Sequence, residues 1–321
     1  MLQDWASVTE ISQIRIYTWG LYCACGAALC LLLFAFLRRG GKKDGSTALC
    51  GVMMLLFGMI LSRILYALDG KIREMASFKA FFMIRAGGWS MFGALFGAVL
   101  GCLLCAKMRR FTPGETGSLY DDAVPALLLF VAAERLGERV IGEFGISRAL
   151  RDESVFWQAL ITRGEYNSYL STYYLEAAGA LVLLAVCLAD RRRNKKAGNT
   201  ALFGMMLFGA SQVLFESLRF DQHMRVSFIG FQQLFAAGCM GAGVLVFALR
   251  VMHTAGKGSR KRIAVSAVAS LPIVIAALVG LEFMIDRSGV SLWLLYAVYI
   301  VLLCVPCAMG IRLRSMAEKG M

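Results

Sequence analysis

The sequence predicts an all-α, polytopic membrane helix bundle with about nine transmembrane helices, and three observations predict it. Of 321 residues, 59% are hydrophobic and 17% are charged, whereas soluble domains run nearer half apolar and a quarter charged. Apolar runs of roughly 20 residues recur along the chain, each long enough as a helix to cross a hydrocarbon core of roughly 30 Å. Basic residues gather in every second connection between these runs, the charge pattern of cytoplasmic loops.

The spans fall at about 16–37, 47–68, 87–107, 120–143, 169–189, 200–219, 227–250, 263–285 and 291–311. The first follows a polar, acidic stretch, Met1 to Glu10, with no cleavable pattern, and is therefore expected to stay as an anchor. The third carries Gly93, Gly97 and Gly101 at four-residue spacing, which lets another helix approach closely. The fourth and sixth carry charge inside the membrane. The eighth and ninth carry almost none apart from Glu282, and read as an appended hairpin with a packing role, dividing the chain into 1–252 and 253–321. Two connections exceed a turn. One, 69–86, holds the amphipathic run Met75 to Ile84; the other, 144–168, has Trp157 and Tyr166, with Tyr169 just beyond, and suits an arm or lid at the membrane interface.

The net charge of +13 comes from 34 Lys and Arg against 21 Asp and Glu. The basic groups after spans one, three, five, seven and nine, such as Arg38 to Lys43 and Arg191 to Lys196, mark the inner side. They place the N-terminus outside and the C-terminus in the cytoplasm. Because they lie between apolar runs rather than on one soluble face, they exclude a nucleic-acid partner. All ten cysteines lie in or beside apolar runs, and the pairs Cys102/Cys105 and Cys304/Cys307 lack a nearby His or Asp. They read as small buried residues, with no metal site.

Ionisable residues inside a span are costly and point to function. In span four, at helical spacing, Arg135, Arg139 and Glu143 lie on one face, with Glu134 and Glu138 beside them as i,i+4 neighbours. In span six, Gln212, Glu216 and Arg219 follow i, i+4, i+7. Each set also admits a plainer reading as mutually neutralising ion pairs. At a rise of about 1.5 Å per residue, Arg135 lies roughly 22 Å along from Tyr120 and Glu216 roughly 24 Å from Thr200, the same depth. Arg15 and Arg85 approach that level from spans one and three. A shared polar chamber at head-group depth follows, with guanidiniums suited to bidentate phosphate binding. Gly87 and Gly88 can bring backbone close to a ligand there.

At these segments the sequence resembles the prolipoprotein diacylglyceryl transferase family, over about residues 10–252. Span four resembles the family's Asp-x-x-Ala-Pro stretch followed by Gly-Arg-x-Gly-Asn-x-x-Asn-Gly-Glu, with Arg135, Gly137, Gly142 and Glu143 in place. Span six is similar to its Tyr-Gly-x-x-Arg-Phe-x-x-Glu-x-x-Arg run, keeping Gly209, Glu216 and Arg219. Leu175-Glu176-Ala177 resembles its Tyr-Glu-Ala, and Gln232 or Gln233 its late glutamine. The departures are pointed: Phe92 stands for the family's His, Gln212 for an essential Arg, Glu138 for an Asn, and Trp19-Gly20 for Tyr-Gly.

Members of that family move the diacylglyceryl group of phosphatidylglycerol to the thiol of a lipoprotein signal's cysteine, releasing glycerol phosphate. The resemblance implies phosphatidylglycerol or another anionic phospholipid and a prolipoprotein signal peptide as partners. It implies no cofactor, and the bacterial cell membrane as location. On it, Arg135, Glu143, Glu138 and His223 are candidates for the chemical step. Arg219, Glu216, Arg139, Gln212, Gly87, Gly88, Ser90, Phe92 and Trp19 are candidates for holding substrate, with Arg139 supplying the charge lost at Gln212. The losses at Phe92 and Gln212 equally suit a non-catalytic relative that binds phospholipid or signal peptide as an accessory or regulator. A transporter would also carry intramembrane charge, but its inverted repeat and matched broken helices are missing from the pattern.

Overall fold

The computed structural model describes residues 7–11, 14–39, 44–68, 88–140, 145–150, 157–164, 166–193, 196–220, 225–226, 229–254 and 258–319. Among them, nine helices are long and apolar enough to cross a membrane. They are α1 (Thr18–Leu37), α2 (Asp44–Leu68), α3 (Met91–Met108), α4 (Pro113–Gly137), α5 (Thr172–Arg193), α6 (Asn199–Leu218), α7 (Phe231–Thr254), α8 (Ser259–Arg287) and α9 (Leu292–Lys319). Short strands decorate the end where α1 begins, called here the head end. β1 (Ser7–Ile11) pairs with β2 (Ile14–Tyr17), and β6 (Arg225–Val226) with β7 (Ile229–Gly230). A three-stranded antiparallel sheet has the order β3 (Ile146–Ala149), β5 (Ser168–Ser171), β4 (Ile161–Arg163). The long connection expected to lie as an arm at the interface is thus a small sheet, with Trp157 and Tyr166 exposed beside it. The amphipathic run from Met75 to Ile84 lies outside the described residues.

Two ends of α4 differ from expectation, for physical reasons. The helix starts at Pro113 rather than near Tyr120, because Thr112 and Glu115 form a reciprocal capping box and Pro113 opens the first turn. A polar first turn hid this start from hydropathy. The helix also stops at Gly137 and passes into a 3₁₀ turn, Glu138–Val140. The periodicity that would hold Arg139 on the face of Arg135 ends there.

The glycine row of α3 does what its spacing predicts. A Cβ at Gly93, Gly97 or Gly101 would strike backbone of α2 at Leu61, Phe57 or Met53, so the two helices touch main chain to main chain. At the opposite, basic end, Asp121 accepts hydrogen bonds from the Gly198 and Ala201 amides at 2.7 and 2.8 Å, holding the start of α6. Its neighbour Asp122 pairs with Arg38 at 3.3 Å and Arg191 at 2.6 Å, tying α1, α4 and α5 together.

The last two helices pack on α7, and α9 also on α6. Hydrogen bonds add to that packing. Arg314 pairs with Asp190 at 2.8 Å and Glu318 at 3.0 Å, the Asn199 amide donates to Glu318 at 2.9 Å, and Tyr296 donates its hydroxyl to the Ser217 carbonyl at 3.0 Å.

Gly97→Leu is expected to force α2 and α3 apart at a cost of about 1–3 kcal/mol, lowering the thermal midpoint in detergent. Gly114→Ala, at a position with open space around it, should leave that midpoint unchanged.

Candidate functional site

Three helices and a 3₁₀ turn deliver charge to one buried point at the head end. Arg135 comes from the last turn of α4 and Glu138 from the turn that follows, Glu176 from the start of α5, and Glu216 and Arg219 from the end of α6. Arg135 is 1% exposed, Arg219 2% and Glu176 0%. Burial at that level is tolerated only if each charge meets its opposite.

The pairing closes into a ring. Arg135 Nη1 donates to Glu138 Oε1, and Arg219 Nη2 donates to the same oxygen at 3.1 Å. Arg219 Nη1 donates to Glu176 Oε1 at 3.1 Å, while Glu176 Oε2 stands 2.8 Å from Arg135 Nε. Two carboxylates therefore each bridge both guanidiniums. Glu134 Oε2 approaches Arg135 Nε at 3.6 Å and Glu216 Oε1 approaches Arg135 Nη2 at 3.9 Å. Arg135 Nη2, Glu216 Oε1 and Gln212 Oε1 are buried without a hydrogen-bond partner among the described residues. Unfilled hydrogen-bonding capacity of both kinds, donor and acceptor, thus remains at or beside the ring among the described residues.

An apolar cavity of about 700 Å³ lies alongside, between α1, α2, α3 and α4. Trp19, Met54, Met59, Ala98 and Phe130 are among its walls, and Glu134 belongs to both cavity and ring. Leu21, Leu55 and Met59 line it while being 41–50% exposed, so it opens on the lipid-facing surface between α1 and α2. Ser90 caps α3 through its hydroxyl and is locked to Ser62, whose hydroxyl donates to the Ser90 carbonyl at 2.8 Å. Gly88, at φ +82°, lends its carbonyl to Arg63 Nη1 at 2.8 Å, and Arg63 stacks over Trp89 at 5.2 Å. The close backbone approach expected of this glycine is made to Arg63 and Tyr66.

The chain matches the model of the family described as prolipoprotein diacylglyceryl transferase over residues 6–283. It belongs to the prolipoprotein diacylglyceryl transferase family. Among its relatives is the phosphatidylglycerol–prolipoprotein diacylglyceryl transferase 2 of Clostridium perfringens, 24% identical over 245 residues, covering 74% of this chain and 92% of the relative. The phosphatidylglycerol–prolipoprotein diacylglyceryl transferase of Dehalococcoides mccartyi strain 195 is 26% identical over 64% of this chain and 78% of its own length. That of Bacillus licheniformis is 26% identical over 67% of this chain and 81% of its own.

Within this family member, the structure brings Arg135, Glu138, Glu216 and Arg219 together, as their depth required. It does not bring Arg139, which is exposed on the 3₁₀ turn and makes no ion pair with the ring among the described residues. The charge lost at Gln212 is therefore not supplied by Arg139. Phe92 is fully buried, its ring 5.9 to 6.0 Å from those of Phe96, Phe208 and Phe235. Phe208 sits one helical turn before Gln212, so two of the departures from the family pattern meet at one place. Arg85, Gly87, Glu143 and His223 lie outside the described residues, as does the side chain of Arg15.

Sequence reasoning passed over three groups. Glu176 entered only through a resemblance, although it is a lone carboxylate in the first half of α5. Arg63 is a lone guanidinium within α2, open to the same cost argument that found Arg135. The third is a triad from three helices. Gln233 Nε2 lies 2.6 Å from Glu282 Oε1 and 2.9 Å from the Tyr299 hydroxyl, and Tyr299 donates to Glu282 at 2.8 Å. Gln233 Oε1 accepts from the Gly230 amide at 3.3 Å, and a Cβ on Gly230 would lie 3.8 Å from Glu216 Oε2. The last two helices therefore reach the edge of the site.

Arg219→Ala removes one of two cations shared by two buried carboxylates and is expected to cost about 3–5 kcal/mol. Arg219→Met with Glu138→Gln removes one charge of each sign and should recover much of the loss, read as thermal midpoints in the same detergent.

Proposed function

We propose that this protein binds phosphatidylglycerol from the membrane and transfers its diacylglyceryl group to a cysteine thiol of a prolipoprotein signal. The observation that carries the reading is Arg135 Nη2. It is a buried donor without a hydrogen bond among the described residues, 3.9 Å from Glu216, beside a cavity open to lipid. A phosphodiester oxygen meets that donor, and the glycerol hydroxyls meet Gln212 Oε1 and Glu216 Oε1. The acyl chains fill the apolar cavity. On this reading the basic connections at the opposite end face the cytoplasm of a bacterial cell, and the ring lies toward the outer leaflet.

In the step itself, the cysteine sulfur attacks the glyceryl carbon that bears the phosphate ester. A C–S bond forms, the C–O bond breaks, and its electron pair leaves on glycerol phosphate. The thiol proton passes to a carboxylate, and Glu138, which accepts from both guanidiniums, is our assignment for it. Charge growing on the leaving oxygen is stabilised by Arg135 and Arg219, held in place beforehand by Glu138 and Glu176.

A second reading has its own observation. Phe92, with no capacity to move a proton, fills an aromatic cluster against Phe208 and Phe235, which suits a relative that holds phospholipid or signal peptide without turning it over.

Purified protein in nanodiscs, given labelled phosphatidylglycerol and a lipobox peptide, is expected to form thioether product only when the peptide has its cysteine. Arg135→Lys should lower kcat/KM by roughly 10²–10³-fold, the scale of losing one positioned charge donor. Saturable phosphatidylglycerol binding with no product would give the second reading the field.

A further inference from the structure

Outside the ring lies a second, smaller cavity of about 260 Å³, under the three-stranded sheet and lined by Arg139, Thr162, Ser171, Tyr173 and Tyr174 with two apolar side chains. It is below the usual size of pockets that take drug-sized ligands, and has no room for acyl chains. Its chemistry is one-sided. Among the described residues Arg139 is the single charged group in its wall, and no carboxylate lines it. Arg139 makes no ion pair among the described residues.

The hydroxyl groups leave a donor to spare. Ser171 Oγ and Thr162 Oγ1 are 2.6 Å apart, and Thr162 Oγ1 is 3.4 Å from the Tyr173 hydroxyl. Two contacts among three O–H groups use two hydrogens, so one remains for an acceptor on a ligand. A guanidinium with neighbouring hydroxyls, and no competing anion, selects a small oxyanion that also carries hydroxyls.

Between Glu138 of the ring and Tyr173 of this cavity lies a residue without a side chain. Gly145 has φ +66°, and a Cβ there would lie 2.6 Å from Glu138 Oε2 and 2.9 Å from Tyr173 Cβ. Gly145 thus stands between the carboxylate that bridges Arg135 and Arg219 and Tyr173, which lines the outer cavity.

We propose that the outer cavity is a separate binding site for a phosphoglycerol anion, held by Arg139 and the Thr162, Ser171 and Tyr173 hydroxyls. Its identity as the leaving group rests on the transfer reaction proposed above; its chemistry as an anion site does not. Glycerol phosphate freed at the ring is held in the outer cavity before reaching water.

The test is a titration of the full chain in phosphatidylcholine nanodiscs with glycerol phosphate, followed by calorimetry. The expected result is saturable binding, weaker binding of inorganic phosphate, and a loss of roughly tenfold or more in Arg139→Gln, as when one charge-assisted hydrogen bond goes. Arg139→Lys should lose less. Equal affinity in wild type and Arg139→Gln, with both melting alike, overturns the proposal. So does equal affinity for inorganic phosphate, which would leave a bare anion site, or full displacement by phosphatidylglycerol added to the nanodisc, which would assign the ligand to the lipid headgroup at the ring. Binding is read without turnover, so an enzyme inactive in transfer that still binds glycerol phosphate through Arg139 separates the failure of one reading from the other.

Discussion

Two guanidiniums bridged by the same two carboxylates set the terms for the rest of this bundle. In a low-dielectric interior an unpaired charge costs several kcal/mol even after relaxation, so Arg135 and Arg219 require Glu138 and Glu176 within bonding distance. That requirement draws the ends of α4, α5 and α6 to one point, because the four residues come from three helices and the turn after one of them. Helices in lipid gain little from hydrophobic association, and the ring gives this end of the bundle its register. At the basic end Asp121 and Asp122 perform the same service, one holding the start of α6 and the other drawing Arg38 and Arg191 inward. Between these two polar clamps, small residues close the distance, as where the α3 glycines meet the backbone of α2.

How much of this was legible follows from which physical cost each residue carries. The nine spans were legible because water-to-lipid transfer of some 20 apolar residues dominates every local preference. Arg135, Glu216 and Arg219 were legible because intramembrane charge is costly and helical rise fixes depth, and their convergence at one ring bears that out. Arg139 was misplaced because helical periodicity was carried past Gly137, where the backbone tightens into a 3₁₀ turn that no hydropathy pattern announces. The start of α4 was misplaced in the other direction, since the Thr112 to Glu115 capping box is a local polar signal that an apolar count discards. Long-range partners were the least legible. Nothing in the chain near Gln233 foretells Glu282 and Tyr299, which lie 49 and 66 residues away.

The last two helices look from sequence like apolar ballast, yet they supply a buried carboxylate and a buried phenol to a glutamine near the site. A polar triad inside lipid is worth keeping only where its geometry is specified, because each member left without a partner costs more than the bond it makes. Gln233 Oε1, held by the Gly230 amide, transmits that geometry to the strand beside Glu216. The hairpin is thus joined by hydrogen bonds to the glutamine next to the strand beside Glu216, in addition to packing.

The distribution of polarity around the ring explains how the chain tolerates its departures from the family pattern. Where the family carries His and Arg, this chain has Phe92 and Gln212, one buried in an aromatic cluster and the other a turn beyond Phe208. Where the family carries Asn, it has Glu138, which bonds to both guanidiniums. Two positions that resemble a His and an Arg of the family pattern, Phe92 and Gln212, carry no charge here, and Glu138 carries a carboxylate where that pattern has Asn. The changes are coupled by charge: with fewer cations to hold anionic ligand, a built-in carboxylate between Arg135 and Arg219 keeps the two remaining guanidiniums apart and oriented when no phosphate is bound. In the transfer proposed above, phosphate entering the ring competes with Glu138 for the same donors, so the residue proposed to receive the proton is also the one displaced by substrate. Proton uptake at Glu138 and phosphate binding are linked steps in that proposal, each making the other more favourable.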